Sequence, residues 1–176
     1  MTMPGKRLDK LPVYELNIPG CEGKIGLHPC PGKREGDQDF SEMMEQDLND
    51  LLYWGAECCV TLMESEELVK HKVEDLGDKV SHFDMQWFHM PIPDEDLPNA
   101  DFEARWPQVS KRLNSLLDSG CNVTLHCKGG TGRTGFIAAR LLIERGMDKT
   151  EAEKLVKSLR PGALTMPCRR EFLGLD

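Results

Sequence analysis

The chain has no apolar run approaching the ~20 residues that span a bilayer, so neither a membrane span nor a membrane partner is expected. Met1 to Lys10 carries basic residues but no apolar stretch of signal-peptide type, which makes the cytoplasm the expected compartment. Positive net charge is also missing. At −8 the general field repels nucleic acid, and none is expected as a partner. There is no Cys-x-x-Cys pair, and Cys21 and Cys30 have no histidines at matching spacing, so no metal or other cofactor is expected. The seven cysteines are odd in number, and without a secretion signal they are expected to be reduced. Internal repeats, low-complexity tracts and long linkers are absent as well.

What remains is an ordinary globular composition. With 39% hydrophobic and 30% charged residues over 176 positions, the chain can bury a core, and residues 1–176 are expected to form one domain and a monomer. Val13 to Ile18 and Lys24 to Pro29 read as short strands, and Cys30 to Asp39 as a loop. Asp39 is placed to cap a helix running to about Trp54, with Met43, Met44, Leu48, Leu51 and Leu52 at helical spacing and Gly55 as its stop. Glu57 to Met63 reads as a buried strand, Glu64 to Asp75 as a charged helical connection, and Lys79 to His89 as one or two strands. Pro91 to Pro98 reads as a loop. Ala100 to Ser119 reads as a long helix, Val123 to His126 as a strand, and Thr134 to Arg145 and Lys149 to Leu159 as two further helices. Strands alternating with helices predict an α/β fold, with a mostly parallel sheet covered on both faces.

The chemistry is concentrated in Val123 to Gly135. An apolar strand delivers His126 and Cys127, five residues follow of which Gly129, Gly130 and Gly132 are glycine, and then Arg133-Thr134-Gly135 opens an apolar helix. A glycine turn can aim the N–H groups of Lys128, Gly129, Gly130, Thr131 and Gly132 into one concavity, and the helix adds the positive end of its dipole. Arg133 can close that cradle with a planar fork suited to phosphate oxygens. A phosphomonoester, carrying about −1.5 to −2 charges, matches it. The same field favours the thiolate of Cys127; comparable sites lower a thiol pKa from ~8.5 to roughly 3.5–7.5. A buried cysteine beside a glycine turn is the competing structural reading, but packing alone does not require three glycines and an arginine at this spacing. No Gly-Lys-Ser/Thr closes the loop, so it is not a nucleotide-binding Walker loop.

His126-Cys127-(five residues)-Arg133-Thr134-Gly135 resembles the active-site loop of the protein tyrosine phosphatase superfamily. The resemblance implies a phosphocysteine intermediate on Cys127, an arginine clamp at Arg133, and a Thr134 hydroxyl that helps the thiolate leave. It also implies support of the loop by His126. A general acid must protonate the leaving oxygen. Composition leaves Asp94, Glu95, Asp96 and Asp101 open, and a solvated acidic turn competes with all four. Pro91-Ile92-x-Asp94-x-x-x-Pro98 resembles the acid loop of small dual-specificity phosphatases, especially the kinase-associated branch, which selects Asp94 with Asp96 as fallback.

Ile18-Pro19-Gly20-Cys21 and Arg160-Pro161-Gly162-Ala163-Leu164 resemble further segments of that branch, the second lying behind the phosphate loop. Relatives often carry glutamine near Arg169 to position water, so that role is unassigned here. Arg169 and Arg170 are expected on a solvated helix, with contact to an acidic substrate as the alternative. Several family members form a disulfide to the nucleophile, a role open to Cys58 or Cys59. The expected substrate is a phosphoprotein bearing phosphotyrosine, phosphoserine or phosphothreonine. Lys128 keeps phosphoinositides or other phosphomonoesters as the second choice. A catalytically silent phosphopeptide-binding module is the reading from another class.

Overall fold

A computed structural model describes residues 10–33 and 41–176. Five strands form one sheet: β1 (Tyr14–Asn17), β2 (Lys24–His28), β3 (Ala56–Thr61), β4 (Gln86–His89) and β5 (Asn122–His126), in the order β1-β2-β5-β3-β4. Only β1 runs antiparallel; β2, β5, β3 and β4 are mutually parallel. The helices are α1 (Ser41–Trp54), α2 (Ser65–Lys70), α3 (Leu76–His82), α4 (Ala100–Asp118), α5 (Gly132–Glu144), α6 (Lys149–Leu159) and α7 (Pro167–Leu173).

Alternation along β3 explains the two layers. Cys58, Val60 and Leu62 pack with the apolar faces of α4 to α7, whereas Ala56, Cys59 and Met63 pack with those of α1 to α3. Glu57 is an extra residue in the pairing with β5, a bulge that shifts register so that Thr61 stands opposite His126. All three central strands end at the same edge, the one to which β5 delivers Cys127 and the glycine loop. This is the α/β fold expected from the sequence, a mostly parallel sheet with helices on both faces.

Two expectations need correction. Lys79 to His82 is not strand but the last part of α3, because Leu76, Gly77 and Val80 are buried at helical spacing. The helix packs so closely on β4 that a Cβ on Gly77 would sit 2.4 Å from the Trp87 ring. Between Glu64 and Asp75 the chain is helical only over α2, since Lys72 takes a positive φ of 59° and turns the backbone out of the helix. Asp39, expected to cap α1, lies outside the described residues. Gly55 ends α1 at a φ of 106°, as a helix-stopping glycine should.

Candidate active site

Strand β5 is buried along almost its whole length and ends at His126. Cys127 follows, 4% exposed, and the chain curls through Lys128 to Thr131 into α5. Two backbone bonds hold the start of this loop against its neighbours: Leu62 N–H donates to the His126 carbonyl at 3.0 Å, and Cys30 N–H to that of Lys128 at 3.1 Å. Gly130 makes the sharp turn at a φ of 74°, with its Cα so near β2 that an added Cβ would meet the His28 carbonyl carbon at 2.5 Å. Among the described residues, no acceptor takes the N–H groups of Lys128, Gly129, Gly130 or Thr131. Those amides, with the first turn of α5, are the donors an oxyanion would meet.

Arg160 holds the outer side of the loop. Its Nε donates to the Gly130 carbonyl at 3.1 Å and its Nη2 to the Gly129 carbonyl at 3.2 Å. Both nitrogens also reach the Thr131 hydroxyl, at 3.1 and 2.5 Å. Its guanidinium lies over the Tyr14 ring at 4.3 Å. Carbonyls drawn outward leave the amides of the same peptides turned the other way. The side chain of Thr131 is thus engaged behind the loop, and that of Lys128 is exposed.

Arg133 is only 2% exposed, yet it carries its charge among partners. Glu67, on α2, accepts Nη1 at 2.7 Å and Nη2 at 2.8 Å, and the Ile92 carbonyl accepts Nη1 at 3.0 Å. Burial works against the Arg133 charge, but the Glu67 hydrogen bonds and the attraction of Cys127 outweigh it and raise the pKa. Burial likewise opposes the Glu67 carboxylate, and Arg133 reverses that and lowers its pKa. The same Glu67 oxygen accepts the Glu64 N–H at 2.8 Å, so the carboxylate is fixed from both sides.

Of the four acidic candidates, the structure brings Asp94 to the glycine loop. Its Oδ1 lies 3.7 Å from Arg133 Nε. Asp96 turns inward on its own chain, accepting the Leu97 N–H at 2.7 Å. Asp101 pairs with Arg105 at 3.7 Å on the surface of α4. Glu95 occupies the left-handed corner of the turn at a φ of 62°.

His126 sits in a chain of side chains that crosses three strands. Its Nδ1 is 3.0 Å from the Cys127 carbonyl, which can only accept, so the proton is on Nδ1. Burial and then the neighbouring His28 keep the ring neutral, lowering its pKa well below the usual 6.5. Nε2 is therefore an acceptor: the Thr61 hydroxyl donates to it at 2.7 Å and itself accepts the Trp87 indole N–H at 2.8 Å. His28 stacks on His126 with centroids 5.2 Å apart. The Thr134 hydroxyl, in the first turn of α5, is buried without a hydrogen-bond partner among the described residues.

These geometries have a counterpart among known proteins. Residues 40–173, well over half the chain, match the model of the family described as PTP-SAK, Swiss Army Knife protein, DSP-PTPase phosphatase domain. The chain belongs to this family. This DSP-PTPase domain is similar to cyclin-dependent kinase inhibitor 3 of Rattus norvegicus, 28% identical over 150 residues, which is 85% of this chain and 66% of that protein. The similarity thus spans just under two thirds of the relative's length. Among solved structures it resembles a kinase associated phosphatase whose catalytic-site cysteine is replaced by serine, with a TM-score of 0.82 and 22% identity, covering 93% of this chain and 92% of that one. It also resembles the active form of Tk-PTP, with a TM-score of 0.64 and 24% identity over 90% and 96% of the two chains. Both likenesses show the cysteine-phosphatase fold.

Three site features of the DSP-PTPase domain escaped the sequence. Glu67 carries no mark of its partnership with Arg133, and the Thr61–Trp87 relay needs the sheet register to exist. Arg169, expected on a solvated helix, is buried to 4% exposure. Arg170, the other arginine of that expectation, is partly buried: its Nη1 donates to the Leu164 carbonyl at 2.7 Å and it pairs with Asp176 at 2.9 Å. Cys58 and Cys59 stand as free thiols on opposite faces of β3, and burial pushes both pKa values up, that of Cys59 to about 12. Among the described residues no cluster of three or more His, Cys, Asp or Glu could hold a metal, and no helix is long and apolar enough to cross a membrane.

Proposed function

We propose that this chain is a cysteine-dependent phosphatase that needs no metal or other cofactor and removes phosphate from phosphoproteins through a phosphocysteine intermediate. The observation that carries the reading is the meeting of two loops on one guanidinium: Arg133 stands at the start of the helix that follows Cys127, and Asp94 lies 3.7 Å from its Nε. Phosphate would sit on the amides of Lys128, Gly129, Gly130, Thr131 and Gly132 with Arg133 on its equatorial oxygens. Cys127 attacks as thiolate; the S–P bond forms, the P–O ester bond breaks, and the Asp94 proton passes to the leaving oxygen. Asp94, now a base, takes a proton from water. The water oxygen bonds phosphorus, the S–P bond breaks, and the unpaired Thr134 hydroxyl is free to donate to the departing sulfur. His126 acts at one remove, fixing the Cys127 carbonyl.

The reading extends to a cytoplasmic monomer with residues 1–176 forming one phosphatase domain. Exposed Lys128, directly after Cys127, favours a multiply anionic substrate as the second reading, of phosphoinositide type. The first test is hydrolysis of p-nitrophenyl phosphate in the presence of EDTA. Turnover is expected, and Cys127→Ser is expected to abolish it. A folded wild-type protein inert toward every phosphoester would sink the proposal, and tight phosphopeptide binding without turnover would replace it with a binding module. Rates on phosphopeptides against a short-chain phosphoinositide separate the two substrate classes.

A further inference from the structure

Arg169 is a buried cation with no carboxylate in hydrogen-bond reach among the described residues. Its acceptors are two backbone carbonyls of the Asp94 loop. Nε and Nη2 donate to the Asp96 carbonyl at 3.1 and 2.9 Å, and Nη2 lies 3.5 Å from that of Pro93. To reach them the side chain leaves α7, passes the Phe136 ring at 5.9 Å, and brings Nη1 within 3.3 Å of where a Cβ on Gly132 would stand. One guanidinium therefore spans from the acid loop to the first residue of α5.

The loop needs such a hold. Pro93 to Asp96 form a tight turn closed by the Asp96 N–H on the Pro93 carbonyl at 3.3 Å, with Glu95 in the left-handed region that only glycine adopts without strain. Asp94 itself is two thirds exposed, so packing does not position it. The two backbone carbonyls flanking Asp94 by two residues on either side are each bound by a buried arginine: Ile92 by Arg133, and Asp96 by Arg169. If the turn swung away, Arg169 would lose both of its acceptors, which opposes the movement.

We propose that Arg169 is the positioning residue for the general acid: it anchors the Pro93–Asp96 turn over the glycine loop and so holds Asp94 at the leaving oxygen. The inference rests on the phosphatase reading above. It acts on one half of the chemistry, protonation of the leaving group, and that gives it a distinctive signature. Esters whose leaving group departs unaided do not need the acid; esters of weakly acidic phenols do.

The experiment compares wild type, Arg169→Gln, Asp94→Asn and the double variant on 2,4-dinitrophenyl phosphate and phenyl phosphate, with thermal denaturation of each. Arg169→Gln is expected to slow phenyl phosphate by roughly 10- to 100-fold. With dinitrophenyl phosphate it should lose no more than about threefold, and the basic limb of its pH–rate profile should flatten. In the Asp94→Asn background the same change should add nothing to the difference between the two esters. Arg169→Lys, which keeps the charge but not the fork, should show the same split and serves if the glutamine variant does not fold. An equal loss on both esters, or a selective loss that persists without the Asp94 carboxylate, overturns the inference. Wild type inert on both esters instead overturns the phosphatase reading, and the inference falls with it.

Discussion

Gly130 shows how narrowly the cradle is built at the level of a single residue. Its φ of 74° already disfavours any side chain, and a Cβ there would press on the His28 carbonyl, which is backbone and cannot rotate aside. Strain of about 1–2 kcal/mol from the left-handed backbone comes with a displacement of the loop that no side-chain movement relieves. Gly130→Ala is expected to lower kcat/KM by about 100-fold or more while the protein stays folded, as read by aryl phosphate kinetics beside circular dichroism. The spacing from Cys127 to Arg133 was legible because it is local: strand, turn and helix follow one another and their geometry needs no distant partner. Glu67 was not legible, because its value lies in a contact 66 residues away that only the completed sheet creates. Arg169 misled for the same reason, as an arginine beside Arg170 on a short polar helix looks like solvent-facing charge.

Elements read most clearly where one face of a helix meets one face of the sheet. The long helix α4, with Phe102, Trp106, Val109, Leu113, Leu116 and Leu117 buried, falls where its periodicity puts it. The stretch before β4 failed because α3 is only seven residues long, too short for helical spacing to stand out from a strand pattern. The connection from α6 to α7 lends the glycine loop its brace. Arg160 sits at the C-terminal cap of α6 and ties that helix, through the Tyr14 ring, to the edge strand β1. Arg160→Met removes the donors and keeps much of the bulk. Its expected effect is weaker competitive inhibition by orthophosphate, by roughly tenfold, with a stability loss of about 1–2 kcal/mol. Inhibition constants and chemical denaturation measure the two separately. Unchanged phosphate affinity would mean the loop keeps its shape without the brace.

Across the whole molecule, the sheet edge gathers two imidazoles that the fold keeps uncharged. Burial lowers the His28 pKa from the usual 6.5 to about 4, and burial with the His28 neighbour lowers that of His126 as well. In the unfolded chain both would titrate near 6.5. Between pH 6.5 and about 4 the unfolded state thus binds more protons than the folded one, so stability falls as the pH falls through that window. His28 alone accounts for roughly 3 kcal/mol by the lower end. Urea titrations at stepped pH are expected to show the loss beginning below 6.5, and His28→Gln should shrink it.

Helix α5 is enclosed on nearly every side. From Arg133 to Ala139 no residue is left to solvent, and Leu141 and Leu142 are also covered. The partial charge at its first turn is therefore backed by a poorly polarisable interior, which screens it less than water would. Attraction for a dianion at this helix end should survive high ionic strength, whereas any contribution from exposed Lys128 should fade as salt is added.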